Sequence, residues 1–470
     1  MFPKRASRYD LVIVGMGSAG TVAAEFAAEH LQLRVAAVER ARIGGDCLWT
    51  GCIPSKTLLS AAAAVHAARP VSAVDEREID VESAWRRIAA VQGEIAATDD
   101  DPTRFRRMGV ELIEGDAVVT GPHEVTVGDR ILRSRFILIC TGSSPAVPPI
   151  DGIADVEILT SETLFTLDRP PQSMLVLGGG PIGCEVAQAL VRLGVEVTVV
   201  EMADRLLARD EPTHAARLLE ALRSEGVDVR LGRTARRVAR SGDDVIVTLD
   251  GDEVIQARGL FVAAGRVPNS TGLGLTDVGV EVRAKRVVVD DRSRTAVRSI
   301  YVVGDANDRP DFTHVAAYDG ALAVRDMFFP GRGRAPVVVP WCTFTDPEVA
   351  HVGLTEAEAV ARHGTRSVEA HRQDLRHSDR ARTDGTTNGE IAIITVKGRI
   401  VGGHAICPHA GELIHELALA IHARMRLTDL ARMIHVYPTL STGIGQLAAE
   451  QSYRTARRYR WLARAGRLGR

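Results

Sequence analysis

Two stretches of this chain repeat one hydrophobic pattern. The first, "YDLVIVGMGSAGTVAAEFAAEH", opens on the apolar run Leu11–Val14, passes through Gly15, Gly17 and Gly20, and continues as an alanine-rich helical pattern. That reads as strand, tight turn and helix. A further apolar run, "RVAAVE", ends at Glu39. The second stretch, "SMLVLGGGPIGCEVAQALVRLGVEVTVVE", carries Gly178, Gly180 and Gly183, then a helix, then a strand ending at Glu201. In each, the glycines permit the turn and let backbone N–H groups approach a pyrophosphate at a helix N-terminus. The acid at the end of the second strand suits a ribose diol.

Two such turns predict two dinucleotides, one holding an electron relay and one delivering hydride. Glu201 accepts from a free ribose diol and repels a 2′-phosphate, which favours NADH over NADPH. Arg205 lies close enough in sequence to weaken that preference.

Length and charge narrow the class. At roughly 150 residues per domain, 470 residues suggest about three domains. A net charge of −2 gives no basic field for nucleic acid. No run of about 18 apolar residues predicts a membrane span, and the N-terminus lacks a signal-peptide layout, so a cytoplasmic protein is expected. Arginine supplies nearly all the positive charge. Lysine occurs only at Lys4, Lys56, Lys285 and Lys397.

The chemistry concentrates in "GGDCLWTGCIPSK", from Gly44 to Lys56. In a reducing compartment a close cysteine pair points to catalysis or metal binding rather than to structure. Five helical residues rise about 7.5 Å, and disulfides want Cα atoms roughly 4.4–6.8 Å apart. If Cys47 and Cys52 pair, the chain between them must bend, and Gly51 helps. Pro54 fits the first turn of a helix starting near Cys52 and running through "SKTLLSAAAAVHAA". Cys52 then sits at a helix N-terminus, where the dipole favours thiolate. A zinc site needs two further ligands, and none sits nearby. Two inert buried cysteines are the other alternative, although Asp46, Thr50 and the glycines make the segment turn-like. Cys140, Cys184, Cys342 and Cys407 read as small buried hydrophobes.

Across residues 9 to 450 these motifs, in order, resemble the class I pyridine nucleotide–disulfide oxidoreductases. The cysteine segment resembles the family's redox disulfide. "CTGSSPAVPPI", with Thr141 and Gly142, resembles the exit from an FAD domain. "GGGPIGCE" resembles the NAD fingerprint, and "AAGRVPN", with Gly265, its closing loop. "IYVVGDAN" puts Asp305 where the family binds the ribityl chain, and "FTDPEVAHVGLTE" resembles the start of a dimerisation domain.

The resemblance implies an α/β fold. Two doubly wound, Rossmann-like domains would bind FAD and NAD(P), followed by a C-terminal α+β dimerisation domain. The boundaries expected are 8–150 for the FAD domain with the redox pair, 151–270 for the NAD(P) domain, 271–337 for a return segment, 338–450 for dimerisation and 451–470 for a basic tail. It implies a homodimer with a shared active site. NAD(P)H would reduce the flavin, and the flavin a Cys47–Cys52 disulfide. Cys52 would face the flavin and Cys47 would meet the acceptor. Lys56 and Glu185 would form a pair beside the flavin, and Gly45 would belong to the FAD site.

The output side departs from the pattern. Members that reduce disulfide substrates end in His-Pro-Thr, with a glutamate four residues after the proline. This chain reads "IHVYPTLSTGIGQLAAE": Tyr437 precedes Pro438, and Thr442 occupies the glutamate position. His435 lies two residues upstream; on an extended segment it would share the face of Tyr437 with its reach displaced by roughly 6–7 Å, and the other reading is a histidine in a loop or core hydrogen bond. Tyrosine near this position is similar to mercuric reductases. Their C-terminal cysteine pair is missing, because Cys407 is the last cysteine. Trp49 and Thr50 replace the common asparagine and valine.

The expectation is an enzyme passing electrons from NADH through FAD to a quinone-like or other small acceptor, with no metal of its own. A dihydrolipoamide dehydrogenase-like or mercuric reductase-like activity is the alternative. A redox sensor or docking subunit is the rival of another class. The tail, "QSYRTARRYRWLARAGRLGR", holds seven arginines and no acid. It reads as a solvated helical extension, with an anionic membrane surface as its other reading.

Overall fold

The computed structural model describes residues 9–68, 81–329, 338–458 and 460–461. Residue 8, part of the return segment (330–337) and half of the basic tail (459 and 462–470) lie outside the described residues. The chain forms two compact units. The first comprises 9–178, 192–195 and 236–329, and the second 179–191, 196–235 and 338–461.

The first unit is built on a sheet whose parallel strands run in the order Val110–Glu114, Val35–Glu39, Tyr9–Val14 and Arg130–Ile139, with Ile300–Val302 also pairing Arg130–Ile139. Leu11 faces Val35 on one side and Phe136 on the other. These central strands are buried on both faces, which explains their unbroken apolar runs. On one face, Leu11, Ile13 and Leu138 pack under Ala19, Ala23, Ala24 and Ala27 of the helical stretch Ser18–His30, whose last five residues form a π turn. On the other, Val12, Val14 and Ile139 pack on Val125, Leu132 and Leu275.

Small side chains set the helix spacing. A Cβ added at Gly320, on the helix Thr313–Phe328, would lie 2.5 Å from the Ala19 carbonyl oxygen. The first unit also holds the parallel pair Ser173–Leu177 and Gly259–Val262.

In the second unit, Glu196–Glu201 pairs in parallel with Asp228–Leu231. Its C-terminal part is a five-stranded antiparallel sheet ordered Trp341–Thr343, Glu348–Gly353, Arg399–Cys407, Glu390–Val396, Val368–Asp374. The helices Ala410–His422 and Thr442–Arg458 share its core through Leu413, Ile414, Leu417, Ile444 and Leu447. Residues 451–458 continue the last helix into the tail. No helix among the described residues is long and apolar enough to cross a membrane.

Candidate redox site

The first glycine turn is dictated by backbone approach. Gly15 takes φ +96°, and a Cβ there would sit 2.5 Å from the Cys140 carbonyl oxygen. A Cβ on Gly20 would sit 2.0 Å from the Gly15 oxygen. Gly17, by contrast, faces open space apart from the Gly45 Cα at 3.8 Å. Gly45 takes φ +54°, and its own Cβ would lie 2.8 Å from the Gly17 Cα. Glycine is therefore required at Gly45, where φ is positive and a Cβ would collide with the dinucleotide turn. The redox segment is thereby pressed against the dinucleotide turn.

At the end of the adjacent strand, Glu39 accepts from the Met16 N–H through Oε2 at 2.7 Å and from the Ala41 N–H through Oε1 at 2.9 Å. A carboxylate offers about four lone-pair sites, so acceptor capacity remains for a ribose diol.

The cysteine segment folds as two short helices with a bend between them. Gly45–Trp49 ends at Thr50, and Cys52–Ala68 begins after Gly51, with Pro54 in its first turn. The expected helix start at Cys52 is where the helix begins. Cys47 and Cys52 carry separate thiols that hydrogen-bond to one another.

The pair shares its proton unequally. Cys52 is lowered from 9.0 to about 6, first by the hydrogen bond from Cys47. Burial opposes this, while Thr313 and Lys56 favour the thiolate. Thr313 Oγ1 lies 3.2 Å from the Cys52 sulfur. The same hydrogen bond, with burial, pushes Cys47 far up. Near neutral pH the reduced pair is a Cys52 thiolate accepting from a Cys47 thiol. Cys140 and Cys184 are fully buried and pushed up by desolvation, and Cys407 is pushed up to about 12. None of the three is poised to react.

Two segments cross beyond the sheet. Ser143–Pro145 pairs antiparallel with Arg266–Pro268. Thr141 donates to the Asn269 carbonyl at 2.7 Å, Asn269 Nδ2 returns a bond to the Thr141 carbonyl at 3.0 Å, and the Gly142 carbonyl accepts from the Asn269 N–H at 2.9 Å. Gly142 and Gly265 both take positive φ, at +65° and +116°. The Gly265 carbonyl accepts from the Ala146 N–H at 2.9 Å. Asp305 sits in the turn Gly304–Ala306, accepts from Ser143 Oγ at 2.6 Å and is raised by burial.

At the second glycine turn, Gly178 takes φ +115°, and a Cβ there would lie 2.4 Å from the Ala263 oxygen. Gly180 faces open space, and Gly183 is buried in the helix Pro181–Arg192. Glu201 Oε2 accepts from the Gly179 N–H at 2.5 Å and Oε1 from the Ala203 N–H at 2.7 Å. This repeats the arrangement at Glu39. Arg205 turns away, its Nη2 donating to the Ala208 carbonyl at 2.6 Å. Lys56 lies half-buried on the redox helix of the first unit. In the second unit Glu185 is buried and accepts from the Phe344 N–H at 2.9 Å.

The C-terminal segment separates two residues that alternation put on one face. His435 turns inward, its side chain 7% exposed, with Nε2 2.9 Å from Glu416 Oε1. A Cβ on Gly445 would lie 2.7 Å from its Nδ1. Tyr437 turns outward and donates to Asp379 at 3.0 Å, which raises its hydroxyl. Thr442 donates to the Val436 carbonyl at 3.2 Å, closing the intervening turn. Ile434, Val436 and Tyr437 are 96%, 77% and 66% exposed, an apolar strip of the kind that marks an interaction surface.

Sequence reading missed Thr313, Ser143, Arg266, Glu416 and Asp379. Each is a common residue type far along the chain from the group it touches. Among described residues, one cluster, Glu25, Glu29 and His30, has metal-ligand spacing; no ion is present, and Glu25 is already paired with Arg104 at 2.8 Å.

Comparison with known proteins follows the same lines. Residues 9–320 match the family model described as pyridine nucleotide-disulphide oxidoreductase, and 339–448 match that family's dimerisation domain. A mercuric reductase of Streptomyces lividans is 36% identical over 463 residues, covering 94% of this chain and 96% of its own length. A dihydrolipoyl dehydrogenase of Thermus scotoductus is 34% identical over 468 residues, covering 95% and 98%. A solved Cu(II) complex of the HOCl-induced flavoprotein disulfide reductase RclA from Escherichia coli superposes with a TM-score of 0.84 at 26% identity, covering 94% of this chain and 99% of that one.

Proposed function

The chain belongs to the pyridine nucleotide-disulphide oxidoreductase family, and within it we propose an enzyme that oxidises NADH and reduces a small quinone-like acceptor rather than a dithiol substrate. It is an FAD-dependent oxidoreductase with a dimerisation domain, and therefore a homodimer. The glycine turn fits FAD: Gly17 is open where Gly15 and Gly20 are tightly enclosed, and Glu39 is held with acceptor capacity to spare. When bound, FAD supplies a two-electron relay between nicotinamide and thiols.

This chain's own residues define the rest. Gly15, Gly17, Gly20 and Gly45 would hold the pyrophosphate end of FAD, Glu39 its ribose and Asp305 its ribityl hydroxyls, with Thr141 and Gly142 shaping the exit segment. Gly180, Gly183 and Glu201 of the second unit would hold the nicotinamide dinucleotide. Glu201, with Arg205 turned away, supports NADH over NADPH. In the reduced pair Cys52 is the electron-rich sulfur and Cys47 the proton carrier. Oxidation by a quinone balances when the disulfide forms, two electrons pass to the quinone, and the Cys47 proton and one from solvent complete the hydroquinone.

One observation carries the choice of acceptor. The position expected for a dithiol base holds an outward Tyr437 donating to Asp379, while the nearby His435 is engaged by Glu416. Tyr437 is a donor, and His435 is buried with its second nitrogen against Gly445, so neither is an exposed base. A second reading, reduction of a soft metal ion at the thiol pair, is favoured by the mercuric reductase relatives and the Cu(II) complex of a structural neighbour.

The test is NADH oxidation by FAD-loaded protein with a soluble naphthoquinone, oxidised lipoamide or thiol-capped Hg(II). Fast quinone turnover with negligible lipoamide turnover is expected. Fast lipoamide turnover would overturn the reading, and turnover confined to Hg(II) would replace it with the second.

A further inference from the structure

Asp46 immediately precedes Cys47, and its carboxylate is bound from two sides. Thr50 Oγ1 donates to Oδ1 at 2.5 Å, and Arg266 Nη2 lies 3.1 Å from Oδ2. Arg266 is 16% exposed and is itself fixed: Nε donates to Ser143 Oγ at 2.7 Å and Nη2 to the Ser143 carbonyl at 2.8 Å. Ser143 Oγ donates onward to Asp305, whose carboxylate lies 3.8 Å from Arg266 Nε. One guanidinium therefore serves two carboxylates.

The other groups acting on the pair pull the opposite way. Lys56 from the redox helix and Thr313 from the helix Thr313–Phe328 favour the Cys52 thiolate, and Ser18 from the dinucleotide helix hydrogen-bonds to Cys47. The Asp46 carboxylate lies against Gly51, the residue before Cys52, where a Cβ would sit 3.1 Å from Oδ2, and its charge opposes the ionisation that Lys56 favours.

We infer that Asp46 is an electrostatic brake on the redox pair and Arg266 its counter-charge, the two together setting how readily Cys52 ionises and how readily a Cys47–Cys52 disulfide is reduced. Reduction at neutral pH takes up two electrons and one proton, leaving one thiol and one thiolate. That new negative charge is disfavoured by Asp46 and favoured by Arg266. The inference rests on the reading of the pair as redox-active. Asp46 is a positioning residue, acting by charge on sulfurs that do the chemistry.

The experiment uses full-length protein. Cys52 of the reduced protein is alkylated with iodoacetamide across pH and followed by mass spectrometry, and the disulfide fraction is measured in glutathione buffers, where two glutathione thiols supply the electrons. Asp46→Asn keeps an oxygen for Thr50 but removes the charge. It should speed alkylation at pH 5 about two- to fivefold, a half to one pKa unit for a thiol starting near 6, and shift the pair toward dithiol. Arg266→Gln should do the reverse, and the double variant should return toward wild type.

A loop merely disordered by substitution would move both single variants the same way. That result, or no movement in Asp46→Asn, overturns the inference. If Arg266→Gln fails to fold, Asp46→Glu decides: it retains the charge and should stay near wild type, and a shift matching Asp46→Asn overturns the inference. If the wild-type cysteines show no thiol–disulfide transition at all, the redox reading itself falls.

Discussion

Thr313→Val replaces one hydroxyl beside Cys52 with a methyl group and keeps the β-branched shape. Thr313 Oγ1 lies 3.2 Å from the sulfur and opens the helix Thr313–Phe328. When Cys52 is ionised, the hydroxyl donates to it. A hydrogen bond to a charged group contributes about 1.5–3 kcal/mol, and 1.36 kcal/mol corresponds to one pKa unit. Sulfur is a weaker acceptor than oxygen, so the low end applies, about one unit. Cys52 should rise from about 6 toward roughly 7. At pH 6 its thiolate share then falls from about a half to about a tenth. Site-resolved alkylation of the reduced protein from pH 4.5 to 9 reads this directly. Thr313→Ser retains the donor and should leave the profile in place. An unchanged or lowered Cys52 pKa in Thr313→Val would refute the assignment of this hydroxyl as a donor to the thiolate.

Four further outcomes are expected. Gly20→Ala puts a Cβ 2.0 Å from the Gly15 carbonyl oxygen; the turn must open, and flavin retention, read as absorbance at 450 nm after gel filtration, should drop at least about tenfold. Full retention would contradict the cradle. Glu201→Ala should lower kcat/KM for NADH and cut the NADH-to-NADPH preference by about tenfold or more, in steady-state kinetics. Arg372 pairs with Glu356 and Glu390 at 2.8 Å and Glu211 at 3.4 Å, so Arg372→Met should cost about 2–4 kcal/mol in denaturant unfolding. Burial opposes ionisation of Glu390, but His214 and Arg372 together hold it down, from 4.5 to about 2. That contribution is complete above pH 4.5 and lost as pH falls through 2, so the variant's stability should fall less steeply over that window. Tyr437→His should raise lipoamide turnover only partly, and Tyr437→His with Thr442→Glu by about 10²-fold or more; full activity from the single change would show the orienting glutamate to be dispensable.

The legible parts of this molecule are those fixed by local physics. Gly15 and Gly20 are needed because two backbone segments nearly touch, and that need appears as glycine at fixed spacing. The redox helix starts at Cys52 because Pro54 fits only its first turn. Thr313 could not be found this way: it lies 261 positions from Cys52 and is an ordinary threonine. Arg266 is 123 positions from Ser143; each lies inside a segment that resembles a family motif, but nothing local joins one to the other. His435 and Tyr437 part company for a different reason. Alternation assumes an extended strand, but Thr439 and Thr442 both donate to the Val436 carbonyl and turn the chain there. The side chains of His435 and Tyr437 consequently reach different partners.

The location of one proton links these features to the acceptor. A dithiol-exchanging enzyme must ionise Cys47, since that sulfur attacks the substrate disulfide. Here burial and its donation to Cys52 both hold the proton on Cys47, so attack requires a base of considerable strength close by. Tyr437 is raised further from neutrality by Asp379 and serves as a donor, not a base. His435 has its Nε2 on Glu416, its Nδ1 side closed by Gly445 and a side chain only 7% exposed, so it offers a thiol no open nitrogen. An acceptor that itself takes up protons removes the requirement, because the Cys47 proton then becomes a reactant rather than an obstacle. The same pairing that weakens Cys47 as a nucleophile strengthens Cys52 as an electron donor, and a quinone-like acceptor makes use of both.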